Sequence, residues 1–318
     1  MRALLLAISM LLAPPLAAAE YPTRPVRMIV PFPAGGGVDL ITRFTTDILS
    51  QALGQPFIVD NRPGAGGNVG ADLLAKSAPD GYTIGTMPIS THGINPTLYA
   101  HLPFDPVKDF TPITMLVIQP NVMVVPKSLG VRTVQEFIAL AKAKPGALNV
   151  GSSGNGTSLH MSAELFKQMA GIDIVHIPYR GAGPLMPDLI SGQVQLVFNN
   201  LPTAMPHIRS GTLVPLAVTT RERWPLLPDV PTMDEAGVPG FDVSSWYSLM
   251  GPAKLPRDIV MAINQALVPG LLRPDIRDRL MEMGTRPVPG TPEALAAHVD
   301  AEIARWAPVV KATGLKID

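Results

Sequence analysis

The sequence predicts an α/β protein with two lobes, and two observations support this fold class. Apolar runs typical of buried strands alternate with segments in which apolar residues recur at helical spacing. This alternation starts near residue 26 and starts again near residue 121, which indicates two sheets, each flanked by helices. A chain of 318 residues is also long enough to divide into two domains.

The first lobe begins with "VRMIVPF", a continuous apolar run typical of a buried strand. The segment "DLITRFTTDILSQALG" is predicted to be a helix, with Ile41, Phe44 and Ile48 at helical spacing and Gly54 as its C-terminal stop. The predicted strands "FIVDN" and "YTIGT" flank the helical "NVGADLLAKSAPDG". Strands that are connected by helices predict a parallel sheet with right-handed crossovers.

The second lobe repeats this pattern. Its predicted strands and helices are, in order, NVMVVP, TVQEFIALAKAKPG, LNVGSS, TSLHMSAELFKQMAG, DIVHIPYR, PLMPDLISGQ, VQLVFNN, TAMPHIRSG and LVPLAVTT. After "SSWYSLMGP" the sequence is purely helical, and a tail without strands is expected to pack back on the first lobe.

The chain is then expected to cross between the lobes twice, near residues 119–123 and 244–247. This assigns residues 20–122 and 246–318 to the first lobe and residues 123–245 to the second. Two crossings form the hinge of a clamshell with a cleft between its lobes. Ligands of open α/β sheets bind at the carboxyl ends of the strands, so the loops at the cleft are the candidate site.

The N-terminus has the order of a secretory signal peptide. Arg2 is followed by the apolar residues 3–16 and by the small residues Ala17, Ala18 and Ala19. We assign residues 1–19 to the signal peptide, and a retained amphipathic anchor is the alternative. The apolar run is shorter than the roughly 20 residues that span a bilayer. The protein is therefore predicted to be exported to the periplasm.

Composition excludes several classes of function. The chain has no cysteine, which excludes disulfides, thiolate-bound metals and a lipid-modified N-terminal cysteine. Lys and Arg together number 25, as do Asp and Glu, and no long block of one charge occurs. Nothing in this charge pattern indicates binding to nucleic acid or to an anionic membrane surface.

Two loops with the same pattern are candidates for binding an anion. "PAGGGVD" and "SSGNGTS" each follow a predicted strand and end at a predicted helix N-terminus, which presents unpaired N–H groups and a partial positive charge. A third loop, "NRPGAGGNVGA", offers the same groups from the first lobe. In the alternative interpretation these are ordinary turns, and Asp39 and Thr157 are only N-caps. Three such loops favour an anion site.

Catalytic and metal sites are not predicted. "GSSGN" lacks the closing glycine of a hydrolase nucleophile elbow, and there is no phosphate-loop GK[ST]. His160 and Glu164 are four apart on a predicted helix, but one such pair does not make a metal site. The other histidines show no ligand spacing: His92, His101, His176, His207 and His298. We therefore expect no enzyme activity, no metal and no cofactor.

Several segments resemble a known family, the periplasmic receptors of tripartite tricarboxylate transporters, or Bug family. They are YPTRPVRMIVPFPAGGGVD, VDNRPGAGGNVGADLLAKSAPDGYTIG, THGINPTLY, GSSGNGTSLHMSAELF, IPYRGAGP, QVQLVFNNLP and PDVPTMDEAGVPGFD. In this order they cover essentially the whole chain after the signal peptide. The resemblance implies a type II-like periplasmic binding protein fold, a monomer that binds a small organic carboxylate and delivers it to membrane permease subunits.

The resemblance also implies which residues bind the ligand. In the family, main-chain groups and ordered waters at two facing loops hold the carboxylate, and no arginine fork does. The corresponding positions here are Ala34, Gly35, Gly36 and Asp39 on one lobe and Ser152, Ser153, Asn155, Gly156 and Thr157 on the other. The remainder of the ligand is expected to meet Met87, Ser90, His92, Tyr179, Asn199 and Trp246.

Asn199 is a departure from the family pattern, since family members often have Asp at this position of "VFNN". An amide cannot form an ion pair with a ligand ammonium group, which argues against an amino-acid ligand. A dicarboxylate, a tricarboxylate or an aromatic acid remains possible. Alternatively, Asn199 is only a turn residue at the end of a strand. The alternative function is an exported enzyme that acts on a carboxylate or an ester.

The predicted signal peptide leads to a test of export. Protein recovered from the periplasm is expected to begin after Ala19, because cleavage follows the small-residue pattern. N-terminal sequencing of the mature protein measures this directly. A mature chain that still begins at Met1 would contradict the prediction.

Overall fold

The computed structural model describes residues 21–318, and the predicted signal peptide lies outside the described residues. The strands are β1 (Val26–Val30), β2 (Phe57–Asn61), β3 (Thr83–Pro88), β4 (Phe110–Pro126), β5 (Asn149–Ser152), β6 (Val175–Pro178), β7 (Leu196–Asn200), β8 (Leu213–Val218), β9 (Ser244–Pro252) and β10 (Arg286–Pro287).

The helices follow the predicted alternation with the strands. They are α1 (Gly37–Leu53), α2 (Asn68–Ala75), α3 (Asn95–Leu98), α4 (Val134–Ala143), α5 (Ser158–Ala170), α6 (Ala182–Ser191), α7 (Leu201–Arg209), α8 (Arg257–Leu272), α9 (Pro274–Glu282) and α10 (Pro292–Thr313). Short 3₁₀ turns occupy Ala65–Gly67 and Lys127–Leu129, and a π-helix occupies Ser90–Ile94.

The parallel strands confirm the predicted α/β class. β1 pairs in parallel with β2 and β3, and β5 pairs in parallel with β6 and β7. The remaining pairs are antiparallel, because β9 lies between β3 and β4, while β7 and β8 both pair with β4. The carboxyl ends of the parallel strands in each half therefore deliver their loops to the same edge, as the sequence predicts.

β4 is a single strand of 17 residues that serves both halves of the molecule. Up to Pro120 it pairs with β9, and from Asn121 it pairs with β7. The sequence predicted a strand only from Asn121 onward, because prolines such as Pro112 argue against a strand. The structure accommodates Pro112 at an irregularity of the pairing with β9.

The two expected crossings lie side by side, because Pro120 of β4 is paired with Ser244 of β9. We keep residues 20–122 with 246–318 as the proposed first lobe and residues 123–245 as the proposed second lobe. The lobe names below follow this proposal.

The C-terminal tail packs largely on the first lobe. α8 contacts α1 and β4, and α10 contacts the π-helix and α3. The buried carboxylate of Glu302 on α10 accepts hydrogen bonds from the indoles of Trp246 (2.8 Å) and Trp306 (3.2 Å), which ties the helix to β9. The expectation that the tail contains no strand was wrong, because the two-residue β10 pairs with β4; a strand this short leaves no sequence pattern.

The core consists of apolar side chains on both faces of the sheet, with Phe137, Phe166 and Phe198 among its largest members. Within residues 21–318, no helix is both long and apolar enough to span a lipid bilayer.

Candidate functional site

An inner pocket lies between the lobes, where four helices begin. Residues 36–38 reach it from α1, residues 157–159 from α5, residues 181 and 182 from α6, and Asn200 from the start of α7. Ser90, the first residue of the π-helix, also lines it. Of the residues that the structure describes, none that lines this pocket has a charged side chain.

The first turns of these helices offer main-chain N–H groups to the pocket. Among residues 21–318 no side chain caps α1, whose first internal hydrogen bond runs from Leu40 to the Gly36 carbonyl. In α5 the Thr157 hydroxyl accepts from the His160 N–H, and the N–H groups of the two residues before His160 have no acceptor within residues 21–318. Unpaired N–H groups and the positive ends of helix dipoles favour an anion.

Asp39 supports the glycine loop and does not line the pocket. Its buried carboxylate accepts hydrogen bonds from the Gly35 N–H (2.9 Å), from Arg43 Nε (2.9 Å) and from Asn61 Nδ2 (2.9 Å). Burial opposes its ionisation, but the Arg43 hydrogen bond, together with the Gly35 and Asn61 bonds, holds the pKa of Asp39 below its ordinary value. The Gly35 N–H is thereby occupied, whereas Ala34 and Gly36 do line the pocket.

Some residues of the second predicted loop line the pocket, and others lie behind it. Ser153 and Thr157 line the pocket. Ser152 is buried behind it, with its hydroxyl 2.7 Å from His176 Nε2. The Gly156 N–H donates to His160 Nδ1 at 3.2 Å. Hydrogen bonds to two histidines therefore brace this loop from behind.

His160 and Glu164 of α5 form a cluster with His176 of β6, which the sequence did not connect with them because it lies on a different element. The two imidazole rings stack with centroids 4.0 Å apart. Burial lowers the pKa of His160 to about 3 and that of His176 to about 4, so both rings are neutral at pH 7.

The side chains of the cluster could hold a metal by proximity, but its hydrogen bonds argue against one. Because His160 Nδ1 accepts from the Gly156 N–H, the neutral ring carries its proton on Nε2, the atom nearest Glu164. Both carboxylate oxygens of Glu164 accept from Lys167 Nζ at 3.0 Å. A protonated nitrogen and a paired carboxylate are poor metal ligands.

The structure places Met87, His92 and Trp246 in the core and not at the pocket. His92 packs against Phe110, and burial lowers the pKa of His92 to about 3. Successive side chains of a strand point to opposite faces, so Tyr247 of β9 lines the pocket while Trp246 faces α10.

Ser90 and Asn199 do line the pocket and have hydrogen-bonding capacity to spare. The buried Ser90 hydroxyl has no partner within the described chain. Asn199 Oδ1 accepts from the Thr203 hydroxyl at 3.1 Å, but its Nδ2 meets only the sulfur of Met186 at 3.2 Å, and a thioether is a weak acceptor. Both side chains can therefore donate to a ligand.

The sequence did not predict a hydrogen-bond network of side-chain amides and a tyrosine hydroxyl where the chain crosses between the lobes, because single Asn, Gln and Tyr residues form no sequence pattern. Gln119 Nε2 donates to the Tyr247 hydroxyl at 2.6 Å, and this hydroxyl donates to Asn200 Oδ1 at 3.2 Å. Asn200 Nδ2 then donates to Asn121 Oδ1 at 2.7 Å. A Cβ atom on Gly37 would lie 2.7 Å from the Tyr247 hydroxyl, so the absence of a side chain at Gly37 leaves space for this hydrogen-bond network.

An outer chamber adjoins the inner pocket and shares Phe32, Pro33, Ser153 and Gly181 with it. The chamber contains the three remaining predicted features: Asn155, Tyr179 and residues 64–67 of the third glycine loop. The Tyr179 hydroxyl donates to Asp188 at 2.6 Å. The predicted site residues thus lie in four places: in the inner pocket, in the outer chamber, behind the pocket where they support its loops, and in the core.

A two-lobed α/β fold with a neutral, donor-rich pocket between its lobes defines a solute-binding protein of the periplasmic class. The family model described as "Tripartite tricarboxylate transporter family receptor" matches residues 41–315. The chain therefore belongs to this receptor family, which confirms the resemblance seen in the sequence.

Individual relatives are similar over nearly their whole length. BugT of Bordetella pertussis is 37% identical over 310 residues, which cover 96% of this chain and 94% of BugT. The structure of R. palustris Rpa4515 with adipate is 40% identical, with a TM-score of 0.91, and covers 93% of this chain and 99% of that one. The periplasmic binding protein BugD is 32% identical, with a TM-score of 0.89 and coverages of 93% and 99%. The family model describes a receptor and the structure of BugD is that of a periplasmic binding protein, so nothing in these comparisons favours the enzyme alternative.

Gly36 provides a direct test of main-chain binding. Its backbone is extended (φ −79°, ψ 167°), and a Cβ there would meet only the Pro33 carbonyl oxygen at 3.6 Å. Gly36→Val should therefore fold, with a loss of about 1 kcal/mol or less from its cap position. Its side chain should block approach to the N–H groups and weaken carboxylate binding at least about 100-fold, as calorimetry would measure.

Arg62→Gln and Arg180→Gln are the comparison variants for Gly36→Val. Each is expected to weaken binding less, because neither arginine lines the inner pocket. An arginine variant that proves more damaging than Gly36→Val would show that side-chain cations, and not main-chain donors, hold the anion.

The contact of Gly37 with Tyr247 predicts a non-additive pair of substitutions. Gly37→Ala should weaken ligand binding by about 1–3 kcal/mol, because its methyl group displaces the hydroxyl that orients Asn200. Tyr247→Phe should weaken binding in the wild type but restore part of it in Gly37→Ala, since the clashing oxygen is gone. Equal effects of Tyr247→Phe in both backgrounds, measured by calorimetry, would contradict this account.

Proposed function

We propose that this protein is a periplasmic receptor that binds a small organic carboxylate in the inner pocket and delivers it to the permease subunits of a tripartite tricarboxylate-type transporter. Membership of the receptor family supports the role, and the related R. palustris structure that holds adipate supports the ligand class. The signal-like residues 1–19 support export to the periplasm, and we propose that the receptor acts as a monomer.

The observation that carries this proposal is the convergence of four helix N-termini on a pocket lined by uncharged residues. Residues at the N-terminal ends of α1, α5, α6 and α7 all line it. Their dipoles favour a negative charge, and their N–H groups match the acceptor oxygens of a carboxylate. A carboxylate bound there needs no cationic side chain.

The same electrostatics disfavour an ammonium group in the inner pocket. A cation would face the positive ends of the helices, and the described lining of the pocket contains no carboxylate to offset this. Asn199 provides a neutral amide where an acidic residue would be needed. Val38, Ile89 and Leu159 add apolar surface beside the polar groups. A dicarboxylate, a tricarboxylate or an aromatic acid therefore fits better than an amino acid.

Titration of a carboxylate panel tests the proposal. Succinate, glutamate and a benzoate-type acid would first be screened by thermal shift, where a ligand at about 100 times its Kd stabilises by about 2.7 kcal/mol. Calorimetry should then show one ligand bound per chain, and analysis of the mixture should recover the ligand unchanged. Glutamate should bind more weakly than the best acid without an ammonium group.

Asn199→Asp refines the test of charge in the pocket. The new carboxylate should repel the bound acid and weaken it, whereas Asn149→Asp adds the same charge at the opposite end of β5 from the pocket and should have little effect. Turnover of any acid would overturn the receptor assignment. A wild-type preference for glutamate would overturn only the exclusion of an ammonium group.

A further inference from the structure

The second loop, residues 152–157, is held from behind by two imidazole rings. His160 Nδ1 accepts a hydrogen bond from the Gly156 N–H at 3.2 Å, and His176 Nε2 lies 2.7 Å from the Ser152 hydroxyl oxygen. The rings belong to α5 and β6 and stack with their centroids 4.0 Å apart. Neither histidine lines the inner pocket or the outer chamber, so neither touches a ligand that is bound there.

The bond to His160 fixes the peptide group between Asn155 and Gly156. Because a trans peptide is planar, its N–H and C=O groups point in opposite directions. With the N–H directed at the ring behind the loop, the Asn155 carbonyl is directed at the first lobe, where it lies against Gly66. Loss of the acceptor at His160 would leave this peptide free to turn and would remove the contact between the two loops.

The bond to His176 reaches the pocket through Ser152. The Ser152 hydroxyl also accepts from the Gly154 N–H at 3.2 Å. The Gly154 carbonyl in turn accepts from the Thr157 hydroxyl at 2.7 Å, and Thr157 lines the inner pocket. The same hydroxyl accepts from the His160 N–H at 3.3 Å. Both ends of the loop are therefore held by hydrogen bonds that lead to the two histidines.

Little space is available for a displaced loop. Gly156 has a left-handed φ of 77°, and a Cβ there would overlap the side-chain oxygen of Asn95 on the first lobe. Asn95 is itself buried, and its Nδ2 donates to Asn68 Oδ1 at 2.7 Å. The second loop thus lies between the two rings and the first lobe. A shift of the loop would displace the pocket lining at Ser153 and Thr157.

Both rings can accept hydrogen bonds because both are neutral at pH 7. Burial lowers the pKa of His160 to about 3 and that of His176 to about 4. A neutral imidazole has one nitrogen that accepts, whereas an imidazolium has none. Glu164 and Lys167, the charged neighbours of the rings on α5, are paired with each other at 3.0 Å. The rings therefore act on the loop by hydrogen bonding and not on the ligand by charge.

We propose that His160 and His176 are positioning residues, which hold the second loop in the orientation that binds a carboxylate through one ring nitrogen each. This inference rests on the proposed function for the inner pocket and adds two determinants of affinity that do not contact the ligand. It assigns the role to particular atoms, Nδ1 of His160 and Nε2 of His176. The side-chain amide of asparagine lies at the Nδ1 distance from the main chain and that of glutamine at the Nε2 distance, so each ring has its own conservative replacement.

Matched substitutions at His160 test its Nδ1 atom. Calorimetry with succinate, adipate and benzoate would compare the wild type with His160→Asn, His160→Gln and His160→Leu. His160→Asn keeps an acceptor for the Gly156 N–H and should stay within about threefold of the wild-type affinity. His160→Gln places its amide one bond too far away and His160→Leu has no acceptor, so both should weaken binding about tenfold or more.

The same three substitutions at His176 should give the opposite order. His176→Gln keeps a hydrogen-bonding group for the Ser152 hydroxyl and should retain most of the affinity, because an amide can either donate or accept. His176→Asn is too short to reach this hydroxyl, and His176→Leu has no polar group. Both should weaken the same acids about tenfold or more.

Thermal unfolding separates positioning from packing. Leucine suits a buried site better than asparagine, so His160→Leu should unfold at no lower a temperature than His160→Asn although it binds more weakly. His298→Leu is the control, because His298 is another half-buried imidazole, which packs on Trp246 of the first lobe. It should bind the acids as the wild type does.

Nitrogen-15 NMR of the histidine side chains tests the position of the proton. His160 should be neutral between pH 6 and pH 8 with its proton on Nε2, because Nδ1 accepts from the Gly156 N–H. A proton on Nδ1, or a charged ring in this range, would overturn the proposal, since Nδ1 could then not accept a hydrogen bond.

The outcomes distinguish this inference from the proposed function. Wild-type affinity in both His160→Leu and His176→Leu would overturn the positioning role and leave the receptor assignment standing. A loss in His160→Asn as large as that in His160→Leu would also overturn it, because the ring and not its nitrogen would then matter. Should the leucine variants fail to fold, the contrast between asparagine and glutamine at each position decides. Failure of every carboxylate to bind the wild type would overturn the proposed function and this inference together.

Discussion

The convergence of four helix N-termini on one pocket is the constraint on which the rest of the structure depends. A main-chain group cannot adjust its position as a side chain can, so the fold must bring each helix start to the same place. Parallel strands do this, because their carboxyl ends meet at one edge and each loop leads directly into a helix. The ligand must also approach the backbone closely, which Gly36 permits because it has no side chain.

Close approach between the lobes imposes a second demand on the same loops. Gly66 lies against the Asn155 carbonyl, Gly156 lies against Asn95, and Gly37 lies against the Tyr247 and Asn200 side chains. A side chain at any of these glycines would meet an atom of a segment distant in the sequence. The absence of side chains at these glycines therefore permits this close packing. A ligand that touches both lobes gains all its contacts only when they are closed, so its binding favours the closed arrangement.

Among the described residues, charged side chains and histidines surround the pocket without lining it. Asp39 is held by Arg43 and Asn61 behind the first loop, and Glu164 is held by Lys167 behind the second. Burial keeps His160 neutral, so it can accept the Gly156 N–H and orient the loop without adding charge. The potential in the pocket is consequently set by the helices. Among the described lining residues, a side-chain cation occurs in the outer chamber, at Arg180.

The sequence by itself determined the class of fold, the glycine loops and the anion-binding chemistry, because strand, loop and helix patterns are local. It also identified Gly36, Ser153, Thr157 and Asn199, which the structure brings to one pocket. Only the tertiary structure decided that Tyr247, and not Trp246, faces the pocket. A strand alternates its side chains between two faces, and nothing local tells which face meets the cleft. The partners of Gly37, which are Tyr247 and Asn200, are likewise contacts between distant segments, which chain spacing does not encode.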